Sequence, residues 1–374
     1  MKNNEFIGKK SLENIRFIIK EEKVRKIIIF AGEKSYALSG AEENLKTILS
    51  NVNHKTIFKT KNYPNMLDLK NFVENIKNFK PDLIIGIGGG AVLDLAKMSN
   101  CLFNNLDIEE SIKNSNYKLK KFCSLIAVPT TAGSGAEATS NAVIYINKIK
   151  FSIEGTAIKP DYILIDPSLI LSTPTNIAAA AGMDAIAQAI ESLISKKSTI
   201  ESVEYSIKSL EHLLDSYENH IKNKNFESSY KMSIGALNAG KAINISKTTA
   251  PHAVSYPFTS HHGVSHGHAV VLTLPDFLSF NFKNLKYSKT SFDLKKRFDI
   301  IFKAFNVQNI INLENKIKLL AQNTGLELNF NKLKITQKSQ IDTILSQINK
   351  QRLMNNPIEL EISNIERILL SKLQ

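Results

Sequence analysis

The sequence holds only two cysteines in 374 residues, Cys101 and Cys123, with no CxxC or other metal-type spacing. A disulfide framework is therefore not expected, and two reduced core thiols are. Long apolar runs are missing as well. None reads as the ~18 consecutive residues that cross a bilayer, and the opening MKNNEFIGKKSLENI has neither the apolar stretch nor the small-residue cleavage site of a secretory signal. A cytoplasmic protein without a membrane partner is the expectation. There is no Walker A loop, and no G-x-G-x-x-G followed by an acidic residue about twenty positions on, so neither standard nucleotide motif applies. Helix-turn-helix, zinc-finger and RNA-binding signatures are likewise absent. The formal charge of +13 comes from lysines spread along a Lys-, Asn- and Ile-rich chain rather than from one cluster, which argues against a nucleic-acid partner. A generally positive surface still favours an anionic substrate.

What is present begins with length. At 374 residues the chain exceeds the size at which one core usually keeps growing, and two domains are expected. In the first half, short apolar runs alternate with helix-compatible stretches: Lys26 to Phe30, Lys55 to Phe58, Leu83 to Ile87, Leu125 to Val128 and Tyr162 to Ile165. Near-continuous apolar strands between helices predict a parallel sheet covered on both faces, the architecture of an α/β nucleotide-binding domain. After about Pro167 the sequence reads as successive amphipathic helices, including Ile177 to Ser195, with Pro174, Pro251 and Pro257 as punctuation and Leu313 to Gln351 as solvated helix. The predicted division is an α/β dinucleotide-binding domain over 1–168 and an all-α domain over 169–374.

Three constellations carry chemistry. Ile84 to Ile87 runs into Gly88-Gly89-Gly90-Ala91 and then the helical pattern of Val92 to Lys97, with Asp94 in its first turns. A strand, a glycine turn and a helix N-terminus gather backbone N–H groups where a pyrophosphate would bind. A second small-residue turn, Pro129 to Glu137 with Thr130, Thr131 and Ser134, follows the Leu125 to Val128 strand and offers hydroxyls for the same ligand. The third constellation is metal-type. Asp184 and Gln188, four apart on a helix, share a face, and five of the eight histidines (252, 261, 262, 266 and 268) fall within seventeen residues. A carboxylate, an amide oxygen and two imidazoles would hold a divalent metal with an open position for a carbonyl.

The stretches GGGAVLDLAK, AVPTTAGSGAEAT, KPDYILIDPSLILSTP, GMDAIAQAIES and HAVSYPFTSHHGVSHG, in this order, resemble the iron-containing (group III) alcohol dehydrogenase family over nearly the whole chain. The resemblance implies a dehydroquinate synthase-like architecture: a dinucleotide-binding α/β domain, a helical domain, and a metal in the cleft between them. The implied ligands are Asp184, His252 and His266, the two histidines fourteen apart, with Gln188 standing where the family usually has histidine. The implied metal is Fe2+, with Zn2+ as the alternative. Tyr256 occupies a place where many relatives carry a histidine near the nicotinamide.

Within the family, GKAINISKTTAPHAVSYPFTSHHGVSHGHAV together with Gln188 is most similar to the phosphonoacetaldehyde reductase (hydroxyethylphosphonate dehydrogenase) branch. That implies metal-dependent, NAD(P)H-linked reduction of a small anionic aldehyde, with a homodimer as the family-level expectation. A phosphonate needs fixed cations, for which Lys241, Lys247, His261, His262 and Arg352 are the candidates. Proton delivery would fall to bound water, Tyr256 or His268. The cofactor-binding set comprises Gly88, Gly89, Gly90, Ala91, Asp94, Thr130, Thr131, Ser134, Lys150 and Glu33. Glu33, just after the first strand, would bond the ribose of NAD, whereas Gly32, Lys34 and Ser35 would accommodate NADP. Three alternatives stay open: an ordinary iron-type dehydrogenase for plain alcohols or diols, a lyase on the same scaffold, and a nucleotide-binding relative without catalysis.

Overall fold

The computed structural model describes residues 4–373. The chain forms two compact units, one of residues up to Thr173 together with Asn225–Ser233, the other of Pro174–Lys224 and the residues from Ile234 onward.

The first unit is built on six parallel strands: β1 (Glu5–Ile7), β2 (Lys26–Ala31), β3 (Asn53–Phe58), β4 (Leu83–Gly88), β5 (Ser124–Pro129) and β8 (Tyr162–Ile165). Their order across the sheet is β1-β8-β5-β4-β2-β3. The apolar runs become strands because alternate residues serve two cores. Ile28, Phe30, Ile84 and Leu125 pack on one face, against Leu69, Phe72, Leu95 and Leu102. Ile27, Ile29, Ile85, Ile87 and Ile126 pack on the other, against Ile15, Ile18, Leu45 and Ile48. Every residue of β4 is buried, as a strand covered on both faces requires. From β2 the chain runs outward to β3 and then returns to β4 on the other side of β2. Strand order therefore reverses between β2 and β4, and the crevice beyond the carboxyl ends of two such strands is where doubly wound sheets bind ligands.

Two elements lie outside the sequence expectation. β1 is only three residues long and pairs at the sheet edge with β8. A separate antiparallel hairpin joins β6 (Asn141–Ile146) to β7 (Ile149–Glu154) through Asn147 and Lys148, both with positive φ, at 49° and 65°, the conformation a tight two-residue hairpin turn demands.

Beyond β8 the described residues contain helices and no strands. The central element is Thr175–Ile194, on which Ala178 to Ala180 and Gly182 to Ile194 are all buried. By length and composition this helix is apolar enough to cross a bilayer, but Asp184, Gln188 and Glu191 interrupt its apolar run and it is a buried core helix. The expectation of a solvated helix over 313–351 is also corrected. Helix Ile310–Asn323 ends before Gly325 at φ +83°, residues 324–337 are not α-helical, and Lys338–Ser346 resumes. Leu313, Ile317 and Leu320 on the first helix, and Ile341 and Ile344 on the second, are buried, so this Lys- and Asn-rich segment presents an apolar stripe to the core rather than only a wet surface. Pro257 is not punctuation: it lies inside the Ala250–His262 helix.

Candidate active site

The α/β unit places the glycine turn at the carboxyl end of β4. Gly89 is the N-cap of helix Gly90–Leu102 and supplies no side-chain cap, so the first amides of that helix carry its positive end unblocked by a side chain. Gly89, Gly90, Ala91 and Asp94 are half-buried, whereas Gly88 is buried. The second turn comes directly against the first: a Cβ built on Gly90 would stand 2.5 Å from Ser134 Oγ, and one on Gly89 3.3 Å from Thr131 Oγ1. Thr130 donates its N–H to the carbonyl of Gly88 at 3.0 Å, and its buried hydroxyl makes no hydrogen bond among the described residues. Glu33 is exposed in the first turn of helix Glu33–Leu38, immediately after β2 and Gly32. These residues thus collect at the strand ends flanking the reversal of strand order. Lys150 stands apart from them on β7, where its charge is felt by Asp94.

A residue not singled out from sequence holds the two turns in register. Lys97 has no exposed surface and donates to the carbonyls of Ala136 (2.9 Å) and Asn141 (2.5 Å) and to Thr139 Oγ1 (3.0 Å), with Asp94 Oδ1 at 3.4 Å. Asp94 in turn accepts from the amide of Val143. Burial lowers the Lys97 ammonium and raises the Asp94 carboxyl, each partly offset by the other. Glu137, buried beside them, is pushed up by its burial to about 7, against the pull of Lys97.

The helical unit brings together Asp184, His252 and His266, whose ligand atoms all lie within 4.8 Å of one another. Asp184 Oδ1 is 3.2 Å from His252 Nε2 and 3.8 Å from His266 Nε2. Donors held at ~2.1 Å around a tetrahedral metal stand about 3.4 Å apart, so this spacing suits a divalent ion. The nitrogen chemistry points the same way. His252 Nδ1 is engaged by Glu191 Oε1 at 2.5 Å, which leaves the buried Nε2 facing a carboxylate without a hydrogen bond. A lone pair aimed at an anion calls for a cation between them. In the metal-free protein a proton plays that part: burial pulls His252 down, but Glu191 and Asp184 outweigh it and raise it to about 9.

Glu191 is the principal site residue that the sequence reading missed. Fully buried, it accepts from the Thr249 amide (2.6 Å) and hydroxyl (2.9 Å) as well as holding His252, the carboxylate–histidine arrangement that fixes the tautomer of a metal ligand. Its signal was its position, seven residues after Asp184 on one helix and hence on the same face. Gln188 donates its amide N–H to Asp184 Oδ2 at 3.1 Å. The site also depends on a close backbone approach. A Cβ on Gly267 would sit 2.0 Å from the Ala180 carbonyl and 2.7 Å from Asp184 Cβ, so only glycine lets helix His266–Val271 lie against helix Thr175–Ile194.

Tyr256 is buried and stacks on His266, ring centroids 5.4 Å apart and planes 11° from parallel. Burial drives its phenol well above the usual range, while a hydrogen bond and charge from Arg352 pull the other way. His268 does not join the triad: its Nε2 meets the Glu327 carbonyl at 2.6 Å, and residues two apart on a helix do not share a face. The remaining basic candidates are scattered. Lys241 lies over the Tyr205 ring at 5.7 Å, Lys247 has φ +62° just after helix Phe226–Ser246, His261 meets Gln347 Oε1 at 2.9 Å, and the His262 ring is 6.3 Å from that of Phe258.

Residues 3–167 match the family described as iron-containing alcohol dehydrogenase, and residues 178–373 match the C-terminal part of the Fe-containing alcohol dehydrogenase family. The chain belongs to the iron-containing alcohol dehydrogenase family. It is 25% identical over 174 residues to an alcohol dehydrogenase of Thermococcus barophilus, covering 44% of this chain and 46% of that one. It is 27% identical over 223 residues to a phosphonoacetaldehyde reductase of Streptomyces viridochromogenes, covering 55% of each. The chain thus spans about half the length of these two curated relatives. Among solved structures, a sulfoacetaldehyde reductase from Bifidobacterium kashiwanohense in complex with NAD+ superposes with a TM-score of 0.88 at 24% identity, covering 99% of this chain and 97% of that one. An NADH-dependent butanol dehydrogenase A from Thermotoga maritima gives 0.86 at 19% identity, covering 100% and 97%. At these identities the two structures establish the shared fold.

Proposed function

We propose that this chain is a metal-dependent reductase of small anionic aldehydes, which converts phosphonoacetaldehyde to 2-hydroxyethylphosphonate at the expense of a reduced nicotinamide. The observation that carries this reading is the buried Asp184–His252–His266 triad with Glu191 locked behind His252, in a chain of the iron-containing alcohol dehydrogenase family. Asp184, His252 and His266 would hold the divalent ion, Fe2+ or Zn2+. Gln188 would join them after a half-turn of its terminal amide, which exchanges its oxygen and nitrogen. A bound divalent ion supplies a Lewis acid for the carbonyl oxygen.

The chain's own groups do the rest. Gly89 to Ala91 and Thr130, Thr131 and Ser134 would receive the dinucleotide, which when bound would supply the hydride for reducing the carbonyl to the alcohol. Glu33 supports NADH over NADPH, because a carboxylate there repels a 2′-phosphate. Tyr256 keeps its proton at neutral pH and serves as a hydrogen-bond donor packed on His266. His268, bonded to the Glu327 carbonyl, anchors a loop. The resemblance of the Tyr256 and Gln188 region to the phosphonoacetaldehyde reductase branch supports the substrate, and two unpaired cysteines support a cytoplasmic setting.

The test is to purify the protein with metal analysis and follow NADH and NADPH oxidation against phosphonoacetaldehyde and a panel of plain aldehydes. His266→Ala should abolish turnover while sparing nucleotide binding, and undiminished turnover after stringent chelation would sink the proposal. A second reading, a dehydrogenase of plain alcohols, is favoured by the similarity to the Thermococcus enzyme and would show as equal kcat/KM for neutral and anionic aldehydes.

A further inference from the structure

Arg352 is the one arginine with a buried side chain among the described residues, 8% exposed. It sits on the short helix Lys350–Leu353, which is fastened at one end to the Ala250–His262 helix and at the other to the residues just before that helix. At one end Asn349 caps it by accepting the Arg352 amide at 2.9 Å, and the Asn349 N–H donates to the Ala253 carbonyl at 3.2 Å. At the other, Asn355 Nδ2 donates to the Thr248 carbonyl at 3.0 Å. The first fastening exists because of Pro257. Proline has no N–H to offer the carbonyl four residues back, and that carbonyl belongs to Ala253. The defect inside one helix is the socket for the next. Ala253 and Tyr256 are three apart and share a face, so the strap delivers the guanidinium to Tyr256, which it hydrogen-bonds, and Tyr256 stacks on the ring of His266.

We infer that Arg352, held by this strap, is the residue that recognises the anionic head of the substrate, a tetrahedral oxyanion carried by a short aldehyde. The inference rests on the reductase reading above and names what selects the substrate at that same site. A guanidinium presents a planar fork of donors that matches two oxygens of a phosphonate or sulfonate at once, which an ammonium or imidazole does not. Placed one ring away from His266, it would bind the head while the aldehyde reaches the triad. Lys241, His261 and His262, engaged with Tyr205, Gln347 and Phe258, are not part of this arrangement.

The experiment compares kcat/KM for phosphonoacetaldehyde, sulfoacetaldehyde and propanal in the metal-loaded wild type, Arg352→Gln and Arg352→Lys, alongside calorimetric binding of 2-hydroxyethylphosphonate. The expected result is a wild-type preference for the anionic aldehydes that falls about 10- to 100-fold in Arg352→Gln, the size expected for losing charge-assisted hydrogen bonds, with a matching loss of product affinity and a partial loss in Arg352→Lys. The phosphonate and sulfonate arms show which head is preferred. If the wild type favours an anionic aldehyde but the substitutions lower all three substrates alike, Arg352 is structural and the inference falls while the reductase reading stands. If the wild type reduces propanal as well as either anionic aldehyde, the substrate reading falls and takes the inference with it. Should Arg352→Gln fail to fold, Arg352→Lys decides: unchanged selectivity and product affinity overturn the inference.

Discussion

Replacing Glu191 with glutamine changes one oxygen to an amide nitrogen and nothing in shape. The native carboxylate accepts three hydrogen bonds: Oε2 from the Thr249 amide at 2.6 Å and hydroxyl at 2.9 Å, and Oε1 from His252 Nδ1 at 2.5 Å. A glutamine has one acceptor oxygen and one donor NH2. If its oxygen faces His252, the NH2 is driven against the Thr249 N–H; if it faces Thr249, the NH2 is driven against His252 Nδ1–H. Either choice leaves a buried donor opposed by a donor, at a cost of about 1–3 kcal/mol. The second choice also loosens the histidine whose Nε2 faces Asp184. Metal affinity, measured by chelator competition with Fe2+ and Zn2+, should fall about 10- to 100-fold, with a lower Tm for the metal-free protein and the native α-helical content retained. A variant that melts lower yet binds metal within twofold of wild type would refute the assignment, leaving Glu191 as a core hydrogen-bond acceptor and no more.

Gly267→Ala should destabilise the protein by about 3 kcal/mol through overpacking and weaken metal binding, because the added Cβ meets the Ala180 carbonyl and displaces Asp184; urea unfolding and metal titration report the two effects. Lys97→Met should cost about 3–5 kcal/mol, as removal of one partner from a buried ionic cluster does, and should weaken nucleotide binding by fluorescence titration. The chelated wild type should lose stability with rising pH. His252 is raised from 6.5 to about 9, so its contribution is fully present below pH 6.5 and gone above about 9, on the order of 3 kcal/mol; flat urea midpoints from pH 6 to 9.5 would contradict this. Metal affinity should move the opposite way and rise with pH, since the ligand must shed its proton. Glu33→Ser should raise the NADPH-to-NADH ratio of kcat/KM, and an unchanged ratio would remove Glu33 from cofactor choice.

The sheet was legible in the sequence where burial on both faces forced unbroken apolar runs, as in β2, β4 and β5. It was not legible at β1, where three residues at an edge carry no such pattern, or in the β6–β7 hairpin, whose turn of Asn147 and Lys148 lacks the glycine that usually marks one. Among the candidate site residues, the sequence pointed to donors by type and spacing, and Asp184, His252 and His266 do converge. Types and spacing do not reveal which donors are occupied elsewhere. His268 and His261 belong to the same histidine cluster, yet they meet Glu327 and Gln347, contacts 59 and 86 residues away that no local pattern encodes. Lys97 and Glu191 were hidden for a related reason. Each looks like an ordinary helix charge until burial shows how many acceptors or donors depend on it.

Pro257 has a further consequence. It carries no reactive group, yet by withholding one N–H it leaves a carbonyl through which a segment almost a hundred positions downstream is fastened. Substrate choice in this chain would then be adjustable at a distance from any group that touches substrate: restoring an amide at 257 would give Ala253 a rival donor and slacken the strap. A chain diversifying toward new aldehydes would have such a place to change first, with the metal ligands and the nucleotide turn left as they are.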